Sequence, residues 1–326
     1  MLISVVIPIY NGEKYLRECL QSVKSCPSAE IECIMINDGS TDGTEEICRS
    51  FAESDPRFKL INQENAGVSE ARNRGISEAS GVYIFFLDAD DYIADGAWGE
   101  ILAHAGENKY DMIAYGHYNL FGTGKITAER FPADCDVRFA VLSTALLNSC
   151  WGNLLRRDII NAHNIRFRKE LKTCEDAIFN IDFAQNAESF MFCNTGVLYY
   201  RIHAESVMQS TKFEAKLSDF AALFERRKAY LAENYSEAVE RAMYRQFFSV
   251  VTDWFRSLAK NKGIFEISRA YRTSMKNPVI AAIISETKRA YLSSFYKKLE
   301  YMMMRSDFCT VLAVYFKTKG HFSKRT

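Results

Sequence analysis

Four short apolar runs, each followed by a polar turn and a segment of helical periodicity, fill the start of this 326-residue chain and constrain its fold more than any other feature. LISVVIPI (2–9), IECIMIN (31–37), FKLINQ (58–63) and VYIFFL (82–87) carry the β-branched and aromatic residues that suit buried strands. After the first run, Leu16, Cys19, Leu20 and Val23 share one helical face, and Thr41 or Asp42 is placed to cap a second helix. Parallel neighbours need a crossover, and crossover helices cover the faces of the sheet. The expected class is therefore α/β, with a mostly parallel central sheet, helices on both faces, and ligands bound at the carboxyl ends of the strands. MIAYGHYNLF and FMFCNTGVLYYRI read as later strands. From Lys212 onward the pattern is helical, with a stripe at Leu217, Phe220, Ala221 and Phe224. A boundary near Ser210 divides a domain over 1–210 from a helical segment over 211–326.

With 48% hydrophobic and 25% charged residues, the chain can bury an ordinary globular core. Nine cysteines, an odd number without a C-x-x-C pair, predict neither a disulfide framework nor a structural zinc, and fit a reducing cytoplasm. The opening apolar run breaks at Pro8 and Asn11 and has no basic leader, so neither a signal peptide nor a membrane span is expected there. The formal net charge of zero hides a split. Residues 212–326 hold 22 Lys and Arg against 11 Asp and Glu, leaving 19 against 30 in residues 1–211. The basic segment suits phosphates, acidic lipids or an acidic partner face.

The unusual polar residues gather at the expected strand ends: Tyr10 and Asn11, Asp38, Asn65, then Asp88, Asp90 and Asp91 in FFLDADDY. Carboxylates this close repel one another unless a cation or a set of donors compensates them. A divalent metal, a helix N-terminus and a solvated turn are the three candidates, and D-x-D alone does not choose among them. Asp38 can accept from a ribose hydroxyl or a base N–H, or form an Asx turn. Arg72, on the third helix, can reach a phosphate, or it can be a surface ion pair like its neighbour Arg74. Neither G-x-x-x-x-G-K-[ST] nor a G-x-G-x-x-G after the first strand is present, so diphosphate charge would have to be met by a metal.

SVVIPIYNGEKYLRECLQSV, INDGSTDGT, NAGVSEARNRG and FFLDADDY, in that order and at those separations, resemble the family 2 glycosyltransferases, which have a GT-A fold. The resemblance is strong over 2–115 and continues to about 205 through WGNLLRRDII, CEDAIFN and YYRI, similar to bacterial polysaccharide-synthesising members. It implies an inverting, metal-dependent transferase that moves a sugar from a nucleotide-diphosphate sugar, commonly a UDP-sugar, to a hydroxyl of a glycan or lipid-linked acceptor. Mg²⁺ or Mn²⁺ is the implied cofactor. Residues 1–115 would form the nucleotide-sugar half and 116–210 the acceptor half. Carried over by position, Pro8, Ile9, Tyr10 and Asp38 line the uridine pocket with Arg72 near it. Asp88 faces the ribose side, Asp90 ligates the metal with Asp88 and His203 as further ligands, and Asp176 of Glu175-Asp176 is the general base. An acidic helix N-terminus is the plainer reading of CEDAIFN. Trp151 and Asn153 are expected beside the acceptor or sugar, with burial in the core as the plainer reading of the tryptophan.

YLSSFYKKLEYMMMR (291–305) sets Leu292, Phe295, Tyr296, Leu299, Met302 and Met303 on one helical side, ahead of a basic tail. It suits the inner membrane surface, or packing onto the rest of the protein. Two other readings compete: a metal-dependent sugar nucleotidyltransferase, which would need a glycine-rich phosphate loop that IPIYNGEKYL does not supply, and a catalytically silent nucleotide-sugar-binding protein. Nucleic acid is not an expected partner, because the basic segment has no recognition motif.

Overall fold

The structure is a computed structural model describing residues 1–133, 135–143, 146–202, 213–288, 291–292, 298, 301–302, 304 and 314–315. Most of the 291–305 stripe and the basic tail lie outside the described residues. The chain divides into two compact units, Met1–Lys212 and Phe213–Thr326.

The first unit opens as β1 (Ile3–Ile9), α1 (Glu13–Lys24), β2 (Ile31–Asp38), α2 (Thr44–Ser54), β3 (Phe58–Gln63), α3 (Val68–Glu78) and β4 (Tyr83–Phe86). It continues through β5 (Tyr92–Ile93), α4 (Ala97–Glu107), β6 (Met112–Phe121), β7 (Ile126–Glu129), α5 (Val137–Ser143), a 3₁₀ turn at Leu146–Asn148, β8 (Asn153–Arg156), α6 (Arg157–Ala162), α7 (Glu175–Asn186) and β9 (Phe190–Ile202). The strands form one nine-stranded sheet in the order β3-β2-β1-β4-β8-β6-β9-β5, with β7 paired to β6. β3, β2, β1 and β4 are mutually parallel, as strand–helix alternation demands. β8 then enters antiparallel between β4 and β6, and the far half of the sheet is mixed.

Every residue of β1 and β2 is buried, which is why both read as continuous apolar runs instead of alternating ones. Two charged residues sit in that layer, Asp38 at the end of β2 and Glu32 within it. Glu32 on β2 accepts from Ser4 Oγ at 2.7 Å, Ser80 Oγ at 2.6 Å, Ser80 N at 2.8 Å and Lys59 Nζ at 2.6 Å. Burial raises its carboxyl, but those donors outweigh burial and hold it down at about 2. α3 packs closely on β1 because Gly75 faces Val6, where an added Cβ would lie 2.2 Å from Val6 Cγ1.

The second unit is helical as far as it is described: α8 (Phe213–Glu233), α9 (Glu237–Asn261), α10 (Ile264–Ser274) and α11 (Pro278–Glu286). Phe220 and Phe224 of the expected stripe are buried, and the Phe224 and Phe247 rings meet edge to face at 4.9 Å. Asn277 caps α11 by accepting from Val279 N and Ile280 N, with Pro278 at the first helical position. No helix among the described residues is long and apolar enough to cross a membrane.

Candidate active site

The ends of β1 and β2 are stitched together by side chains from the loops that follow them. Asn11, at φ 50°, takes the N–H of Thr41 on its Oδ1 at 2.8 Å, its own N–H reaches Ser40 Oγ at 3.0 Å, and Gly12 N donates to Thr44 Oγ1 at 2.8 Å. Of the two expected caps, Asp42 accepts from the first N–H of α2, at Thr44. Pro8 and Ile9 are buried in β1, whereas Tyr10, just past its end, is 55% exposed at the rim. Asp38 is buried with both oxygens engaged: Gln63 Nε2 at 2.7 Å and Ala66 N at 2.9 Å on one, Gly67 N at 2.8 Å on the other. It thereby shapes the turn into α3, where Gly67 supplies φ 92°.

Arg72 differs from its twin. Arg74 makes a half-exposed pair with Glu78, but Arg72 is buried, with its guanidinium 5.3 Å from the centre of the Phe167 ring. One terminal nitrogen donates to Asp88 Oδ1 at 2.9 Å, and the other to Asp176 Oδ1 at 2.6 Å and Glu175 Oε1 at 3.3 Å. The guanidinium thus joins the turn after β4 to the first turn of α7, and Asp176 lies 104 positions from Arg72 in sequence. Part of the charge on the aspartate cluster is met by an internal arginine, a compensator missing from the three candidates read from the sequence. No local pattern reports it, because the pairing exists only once α3 and α7 are packed.

Asp176 also takes the Cys150 N–H on its other oxygen at 3.2 Å. Burial raises its carboxyl to about 7, with Glu175 and Asp88 adding to the rise while Arg72 opposes it. That places it where a general base works near neutral pH.

Asp88, Asp90 and Asp91 each offer an oxygen within 4.8 Å of the others. Asp91 was not among the expected ligands, yet it is the buried member. Its Oδ1 accepts from Arg201 N at 2.8 Å, and its Oδ2 has no hydrogen-bond partner among the described residues. An orphaned buried carboxylate oxygen beside two more carboxylates is a hard-oxygen donor set, and it fits Mg²⁺ or Mn²⁺. Burial and these three aspartates together push the Tyr200 hydroxyl up to about 12. His203 lies outside the described residues.

Trp151 and Asn153 are both buried. Trp151 is 7% exposed, stacked on Tyr200 at 5.2 Å and met edge-on by His117 at 4.8 Å. Asn153 is buried and donates its amide to the carbonyls of Cys150 and Trp151. Both hold the loop before β8.

Comparison with known proteins gives the family. Residues 4–161 match the protein family Glycosyl transferase family 2. EpsH of Bacillus subtilis (strain 168), which carries a glycosyltransferase name, is 31% identical over 304 residues, covering 88% of this chain and 87% of that protein. The poly(ribitol-phosphate) β-N-acetylglucosaminyltransferase TarS of Staphylococcus aureus (strain MW2) is 25% identical over 65% of this chain and 38% of its own length. Among solved structures, S. aureus TarS 1–349 in complex with UDP-GlcNAc superposes with a TM-score of 0.71 at 19% identity, covering 99% of this chain and 92% of that one.

Proposed function

Because this chain belongs to glycosyl transferase family 2, we propose that it transfers a sugar, with inversion, from a UDP-sugar to a hydroxyl of a glycan or lipid-linked acceptor in surface-polysaccharide synthesis. The UDP-GlcNAc complex of the TarS neighbour supports that donor class. The observation that carries the reading is the Arg72 bridge, which fixes Asp176 and Asp88 at one rim of the sheet. In this reading Asp176, oriented by Arg72 and the Cys150 N–H, takes the proton of the acceptor hydroxyl as its oxygen attacks the anomeric carbon. Pro8, Ile9 and Tyr10 border the uridine site, and Asp38 contributes by shaping the turn beside it. Asp88, Asp90 and Asp91 would hold Mg²⁺ or Mn²⁺, which when bound offsets the charge of the departing diphosphate. Residues 1–210 are the catalytic domain, halved near 115, and 211–326 a helical appendage. Synthesis on a lipid-linked acceptor fits a chain held peripherally at the inner membrane surface.

Calorimetric titration with UDP, with and without Mn²⁺, tests the site. UDP binding that Mn²⁺ strengthens in the parent and no longer strengthens in Asp90→Ala is the expected result. Equal UDP affinity with and without Mn²⁺ would overturn it.

A further inference from the structure

The peripheral placement proposed above names no surface, and the 291–305 stripe lies mostly outside the described residues. α10 supplies a better-defined one. Its inner face buries Ile267, Ser268, Tyr271 and Ser274, with the Tyr271 and Phe255 rings 5.5 Å apart and the Tyr271 hydroxyl bonded to the Met304 carbonyl. At about 100° per residue, Phe265, Arg269, Arg272 and Lys276, the last just past the helix end, fall on one line along the opposite face. All four are exposed, and Phe265 is 86% exposed, the most of any large apolar residue described. Among the described residues of α10, no acidic side chain interrupts that line. Glu266 stands to its side, and its carboxylate is taken by the Gly263 N–H at 2.9 Å. The helix is thus anchored by one face and capped by its own acid, and it presents three cations behind one phenylalanine.

We propose that this face of α10 docks on an anionic bilayer, with Arg269, Arg272 and Lys276 over the lipid phosphates and Phe265 inserted at the headgroup–acyl boundary. Charge complementarity favours a polyanion, since this end of the chain carries the excess of Lys and Arg. Phe265 decides between polyanions. A soluble phosphate polymer offers an aromatic ring nothing to enter, whereas a bilayer takes both the ring and the cations. The inference deepens the peripheral placement and does not depend on which sugar is moved.

The test is co-sedimentation of the full chain with vesicles of phosphatidylglycerol and phosphatidylcholine in equal parts, and with pure phosphatidylcholine, alongside UDP calorimetry of the same samples. The parent should bind the anionic vesicles and not the neutral ones. Each neutralised cation should cost about fivefold in partitioning, so Arg269→Gln with Lys276→Gln is expected to lose on the order of 25-fold. Phe265→Ala should lose about tenfold. UDP binding should stay at the parent level in both variants, since the substituted residues belong to the second unit and the proposed UDP site to the first. Equal binding to neutral vesicles, no binding to anionic ones, or binding that either variant leaves intact would overturn the proposal. Loss from the cation variant alone would point to a soluble polyanion and overturn the bilayer. Because the readout contains no sugar transfer, a silent vesicle assay with intact UDP binding fails this surface and not the catalytic reading.

Discussion

Arg72 is the residue on which the candidate site turns. A guanidinium divides its donors in a fixed plane, and here one edge serves Asp88 while the other serves Asp176 and Glu175. It holds Asp176, the proposed base, in place and also lowers its proton affinity against burial. The sign for activity follows from that balance: a base must be unprotonated, so kcat/KM should rise with pH through about 7 as Asp176 loses its proton. Removing the opposing cation should move that rise to higher pH. Arg72→Gln is therefore expected to shift the acidic limb of the pH–rate profile upward and to lower kcat roughly a hundredfold through misplacement of the base. A variant whose limb stays at the parent position would show that Arg72 acts on packing alone.

At the level of elements, Glu32 ties β2 to Ser4 of β1, Lys59 of β3 and Ser80 before β4, linking the parallel strands by a single carboxylate. Its folded value of about 2 lies below the ordinary 4.5, so it adds stability above 4.5 that is lost as pH falls from 4.5 towards 2. Glu32→Gln should cost about 2 kcal/mol in urea unfolding at neutral pH, and its gap from the parent should close across that acid window. A gap that is constant with pH would refute this account. β1 to β4 were legible because buried parallel strands are long apolar runs bounded by turn residues. β6 and β9 are legible as strands too, in a less regular stretch. β8 was not: NLLR is four residues long, follows a Trp-Gly pair and runs straight into α6, so it has neither length nor periodicity to announce it. In the site, the aspartate cluster and the Glu175-Asp176 pair stood out as motifs. Asp91 was seen as charge but not as the buried member with a free oxygen, because burial there is set by the Arg201 backbone of β9, 110 residues away.

For the whole molecule, the two compact units frame the remaining expectation. A chain ended after Lys212 should melt cooperatively and keep metal-dependent UDP binding while losing affinity for anionic vesicles. A truncated chain that aggregates, or that binds no UDP, would show that the first unit does not stand alone. The sheet order also bears on how the protein is made. β4 is complete at Phe86, but the strand that covers its second edge, β8, begins only at Asn153. At about 5–20 residues per second, translation leaves that apolar margin open on the order of ten seconds. A nascent chain in this interval carries a half-built sheet whose bare side can pair with another ribosome's product. Until Trp151 and β8 are made, nothing in the chain itself pairs with that edge of β4.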